Sequence, residues 1–115
     1  MILVVMLVAA AVTPAFVNAG PNQTVSAVDV ADLEQSVTLP KGAHRLADYA
    51  RYYTAESLHH RRVLRGYFVL KGPDTPGSYL RESPVIVADG GCSVVTVYFD
   101  LKTRRVAGAV CNGLA

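Results

Sequence analysis

Hydrophobic and polar positions change rhythm several times along this chain. Residues 1–19 (MILVVMLVAAAVTPAFVNA) carry no charged side chain, and Ile2 to Val12 is an unbroken apolar run closed by Thr13 and Pro14. Slim residues follow at Val17 and Ala19, ahead of Gly20 and Pro21. An apolar stretch, a helix breaker and a small-x-small site form the pattern of a secretory signal peptide, with cleavage expected after Ala19. A membrane span needs about 20 apolar residues, and Pro14 and Asn18 interrupt this one too early. The basic residue that usually opens such a leader is missing. A soluble chain without a stable membrane span is therefore expected after processing.

Residues 20–26 (GPNQTVS) are polar and read as a flexible leader to a single domain over 27–115. From Ala27 to Val37 the apolar positions Val30, Leu33 and Val37 recur three and four apart, which predicts a helix with Ser26 as its N-cap. After Pro40-Lys41-Gly42, the residues Leu46, Tyr49, Ala50 and Tyr53 repeat the helical spacing and predict a second short helix. The period then shortens. Arg62 to Leu70 is β-rich, with Leu64, Phe68 and Leu70 on one side, and the turn cluster Gly72–Gly77 leads to a strand over Ser78 to Arg81. Val85 to Ala88 is a further short apolar run before Asp89-Gly90-Gly91.

Cys92 to Asp100 and Arg104 to Cys111 predict a hairpin around Leu101-Lys102-Thr103. In the register that sets Asp100 opposite Thr103, Cys92 faces Cys111. Val95, Val97, Phe99, Val106 and Val110 then share the other face as a core surface. Directly opposed residues can bring their Cβ atoms close enough for a disulfide. A cross-link between these positions is worth about 3 kcal/mol by loop entropy. The expected fold is α+β: one or two short N-terminal helices on an antiparallel sheet of about four to six strands, its C-terminal hairpin stapled by Cys92–Cys111.

Charge changes this picture little in total and more in its distribution. The net charge of +2 is too small to point to nucleic acid. Asp29, Asp32 and Glu34 cluster early, whereas Lys41 to Arg65 gathers most of the bases and all three histidines. His59-His60-Arg61-Arg62, with Arg65 nearby and Tyr52 as the tyrosine left outside the helical stripe, form a candidate binding patch for an anionic ligand or a protein. A solvated turn between strands is the plain alternative. Neighbouring histidines on a strand point to opposite faces, and no Cys or acidic residue has ligand spacing, so no metal is expected. No cofactor motif is present either; Asp89-Gly90-Gly91-Cys92 lacks the longer phosphate-loop pattern, and its glycines suit a tight turn. A disulfide would remove Cys92 as a nucleophile, and no carboxylate pair can be nominated for hydrolysis, so no catalytic residue is named.

The strings ADYARYY (Ala47–Tyr53), DGGCSVV (Asp89–Val95) and VCNG (Val110–Gly113) resemble those of small uncharacterised exported bacterial proteins. That resemblance implies a periplasmic or secreted setting in a Gram-negative cell and supplies no activity. The sequence thus points to an exported, non-catalytic binding or inhibitor-like module. An accessory subunit docking a larger envelope protein is the alternative, and a small hydrolase the second.

Overall fold

The computed structural model describes residues 16–20 and 23–113. Residues 1–15, and with them most of the signal peptide expected above, lie outside the described residues. β1 (Phe16–Gly20), which overlaps the end of that expected segment, pairs antiparallel with β2 (Gln23–Ser26) as a separate two-stranded ribbon. The segment read as a polar leader thus ends in a strand, and Val25 is buried in the core.

Helix α1 (Ala27–Ser36) starts where the capping pattern places it. Ser26 is extended, and its Oγ accepts a hydrogen bond from the Val28 amide at 3.1 Å. Val30 and Leu33 are buried and Val37 packs beside them, as the spacing requires. The expected second helix is replaced by a single 3₁₀ turn (Leu46–Asp48) running into strand β3 (Ala50–Leu58). The reason lies in burial. From Tyr49 to Ala55 every residue but Arg51 is buried, because this central strand is covered on both faces. A doubly buried strand loses its alternation, so a helical subset of its apolar positions can be picked out by chance.

β3 turns into β4 (Arg61–Val69), which pairs antiparallel with β6 (Val94–Asp100), itself paired with β7 (Arg105–Cys111). The short β5 (Gly77–Tyr79) adds to the free edge of β3, giving the order β5-β3-β4-β6-β7. β5 runs parallel to β3, so the five-stranded sheet is mixed and not wholly antiparallel. The turn cluster after β4 carries the chain across the end of β3 to its far side, from where β5 can run only alongside it.

The main core lies between α1 and one sheet face, around Tyr49, Tyr53, Leu64, Phe68, Val95, Val97 and Phe99. Tyr53 meets Phe68 edge-on, with ring centroids 5.9 Å apart. Gly66 lies under both rings. A Cβ there would come within 2.7 Å of Phe68 and 3.0 Å of Tyr53, which explains a glycine in mid-strand. Glu34 ties the layers together. Its Oε2 accepts hydrogen bonds from Arg51 Nε (2.9 Å), the Tyr53 hydroxyl (2.7 Å) and Ser78 Oγ (2.7 Å), joining α1 to β3 and β5.

The C-terminal hairpin carries the expected disulfide in a different register. Cys92 and Cys111 are bonded, with Cα atoms 4.5 Å apart. However, Asp100 faces Arg105 and Val95 faces Cys111, so Cys92 precedes the paired region. The turn spans Leu101–Arg104 because the Asp100 carboxylate caps it. Its Oδ1 accepts from the Lys102 and Thr103 amides at 2.8 and 3.0 Å, and Arg104 takes a φ of 60°. The ladder then slips between Phe99–Val106 and Tyr98–Gly108, leaving Ala107 as an extra residue. That slip turns Ala109 and Cys111 toward the core and leaves Val110 57% exposed, correcting its expected place inside. Cys92 reaches Cys111 from a 3₁₀ turn (Gly91–Ser93) entered through Gly90 and Gly91, both at positive φ.

Candidate functional site

Two-residue hairpin loops favour a turn with positive φ at both central residues. His59 and His60 occupy such a turn, with φ of 52° and 67°, between the paired residues Leu58 and Arg61. Because β4 pairs antiparallel with β6, Val63 lies beside Asp100, and the two hairpin tips emerge at the same end of the sheet. The sequence-expected His59, His60, Arg61 and Arg62 are therefore joined there by Lys102, Thr103 and Arg105 from the second turn. His60, Arg61, Arg62, Lys102 and Thr103 line one open concavity. Leu58, His59, Arg61 and Arg105 border another, of about 330 Å³.

Charge at this end is unevenly compensated. Arg61 Nε lies 2.7 Å from Asp100 Oδ2. The Lys102 and Thr103 amides, together with Arg61, hold the Asp100 carboxyl below its ordinary range, so it stays ionised and committed to the turn. Arg104 is bound by Asp29 and Asp32 of α1. Arg62, Lys102 and Arg105 have no acidic partner among the described residues. The sequence conceals Lys102 and Arg105 as patch members because only strand pairing brings positions 102–105 beside 59–62.

Two expected patch residues lie elsewhere. Tyr52 is buried, which corrects its reading as the exposed tyrosine. It stacks on Tyr79 at 5.3 Å and donates from its hydroxyl to Asp74 Oδ2 at 2.6 Å; Arg81 covers both rings. Burial, reinforced by the Asp74 carboxylate, pushes its phenol up to about 12. Arg65 lies midway along β4, away from the hairpin tips. Its Nε is 3.3 Å from Glu56 without hydrogen-bond geometry, and its guanidinium reaches Glu82 at 3.4 Å.

The face of the sheet away from α1 carries a second feature, the segment Ser83–Asp89. Ser83 Oγ bonds both the carbonyl and the amide of Val85 (2.7 and 3.1 Å). The Val87 amide donates to the Tyr67 hydroxyl at 2.9 Å. Asn112, next to the disulfide, donates from Nδ2 to the carbonyls of Val87 (2.6 Å) and Asp89 (2.7 Å). Val85 and Val87 face inward, whereas Pro84, Ile86 and Ala88 face solvent, and Ile86 is 92% exposed. In sequence this run resembles any short apolar strand. Nothing in it marks Asn112 as its clamp.

Both cysteines are in the disulfide, and among the described residues no three His, Cys, Asp or Glu side chains come together as a metal site. No helix among the described residues is long and apolar enough to cross a membrane. The chemistry this arrangement offers is recognition through charge and through an exposed apolar side chain. No family model, curated protein or solved structure matches this chain.

Proposed function

We propose that this chain is an exported, non-catalytic binding module whose hairpin end receives a ligand bearing phosphate or sulfate groups. One observation carries the reading. Two turns far apart in sequence bring Arg62, Lys102 and Arg105 to one end of a rigid sheet, with no acidic partner of their own and two histidines beside them. Arginine and lysine so placed offer forked and point-charge donors to an oxyanion. Export is supported by the leader-like N-terminal sequence and by the disulfide, which forms and persists in oxidising compartments.

The test is charge reversal at Arg62 and Lys102, leaving Arg61 in place because it holds Asp100. Arg62→Glu with Lys102→Glu is expected to weaken binding of a heparin-derived hexasaccharide, or of phosphatidylglycerol vesicles, by about tenfold or more. Wild-type binding is expected to fall with added salt. Preference for one probe separates a sulfated glycan from a phosphate headgroup. Equal titration curves for variant and wild type would reduce the patch to a solvated turn.

A further inference from the structure

We propose that Ser83–Asp89 is a preformed substrate-like loop that inserts Ile86 into the cleft of an endopeptidase whose primary pocket takes an aliphatic side chain, and inhibits it. This goes beyond anion binding and uses a different surface. Three observations lead there.

The first is a large aliphatic side chain that the fold leaves almost wholly in water, although its neighbours Val85 and Val87 turn inward. Burying such a side chain in a partner's pocket takes its apolar surface out of water and favours association. Secondly, Ile86 makes no hydrogen bond through its own amide or carbonyl among the described residues, whereas the positions on either side are tied down. A segment with free backbone groups at its apex offers hydrogen-bonding groups that a peptide-binding cleft can pair with. The third observation is the clamp. Asn112 holds the Val87 and Asp89 carbonyls, and its own amide donates to the Val94 carbonyl at 2.8 Å and the Gly91 carbonyl at 3.1 Å. The disulfide fixes Cys111 beside it. Ordering cost is thus met before binding, the condition under which a small contact yields tight association.

The same bracing explains why such a loop would inhibit and not simply be digested. Attack of an enzyme hydroxyl on the Ile86 carbonyl carbon forms an ester and breaks the Ile86–Val87 bond. The hydroxyl proton passes through the enzyme's base to the Val87 nitrogen. That nitrogen stays held by the Tyr67 hydroxyl, with the Val87 carbonyl still on Asn112, so the amine is kept beside the ester. It can re-attack, closing the peptide bond and returning the proton to the enzyme. Arg65, reaching Glu82 at 3.4 Å, steadies the N-terminal side of the loop.

The experiment uses the oxidised protein with neutrophil elastase, whose pocket takes branched aliphatic side chains, and with trypsin, whose pocket carries an aspartate. Wild type is expected to inhibit elastase and not trypsin. Ile86→Lys is expected to weaken elastase inhibition about 100-fold or more and to create trypsin inhibition. Since Ile86 supports nothing in the core, this variant keeps the fold. Asn112→Ala is expected to convert the inhibitor toward a substrate, with cleavage after Ile86 at least about tenfold faster. Absence of elastase inhibition by wild type at micromolar concentration would overturn the proposal. So would cleavage at Ile86–Val87 as fast as that of a linear peptide of the same sequence, or an Ile86→Lys protein that trypsin ignores.

Discussion

Replacing Glu34 by alanine is expected to lower stability by about 2–4 kcal/mol, a fall of roughly 10–20 °C in melting temperature for a domain of this size. The size of the effect comes from what the carboxylate leaves behind. Arg51 and Glu34 are only 12% and 20% exposed, and the same oxygen also receives the Tyr53 hydroxyl and Ser78. Without it, a buried phenol and a largely buried guanidinium each lose an ionic acceptor. Arg51 retains the Leu46 and Tyr49 carbonyls at 2.8 and 3.1 Å, which keeps the cost below that of a fully orphaned charge.

The same site sets a pH dependence. Burial alone would raise the Glu34 carboxyl, but hydrogen bonds from Tyr53, Ser78 and Arg51, with the Arg51 charge, outweigh it and hold the group below its ordinary value. A lowered folded value means that this stabilisation is complete above the unfolded value, near pH 4.3, and is lost as pH falls through the folded one. Glu34→Gln is therefore expected to be less stable than wild type at pH 7, with the gap narrowing below about pH 4. Asp74 and Asp100 are shifted the same way, so the variant retains part of its acid sensitivity. Thermal melts between pH 2.5 and 7 check this, and a gap that widens in acid would contradict it.

Removing the disulfide is the second large effect. Cys92→Ser with Cys111→Ser is expected to cost about 3 kcal/mol, because the bond closes a loop of 19 positions. The loss is concentrated at one end of the molecule. The Cys92 carbonyl accepts from the Tyr49 hydroxyl at 2.6 Å, and the Gly91 amide donates to the Gly113 carbonyl at 3.0 Å, so the bond anchors both the core tyrosine and the chain end. Denaturant melts give the cost. Intact mass with and without reductant gives the bond itself, expected as a mass lighter by one pair of hydrogens before reduction. Two alkylatable thiols in the native protein, or a double variant as stable as wild type, would contradict this role.

What the sequence revealed depended on whether the signal was local. The cap at Ser26, the stripe Val30–Leu33 and the β-rich run before Leu70 are set by neighbours in the chain, and each is found in place. The cysteine pair was legible because only one pairing was available. Its register was not, since the four-residue turn depends on the Asp100 side chain and the slip at Ala107 on long-range packing. The helix expected around Tyr49–Tyr53 failed because burial on two faces erases periodicity. The candidate patch was half legible: His59–Arg62 form one continuous string, whereas Lys102 and Arg105 join it only through strand pairing, and Tyr52 leaves it by facing a second apolar cluster.

The most direct test of the binding reading is to map amide chemical shifts of the isotope-labelled protein during titration with the heparin-derived hexasaccharide at low salt. The expected result is saturable movement confined to His59–Arg62 and Leu101–Arg105, with Ser83–Asp89 and helix α1 unmoved. Spectra unchanged at millimolar probe, or movement centred on α1 or the β5 edge, would contradict a ligand site at the hairpin end.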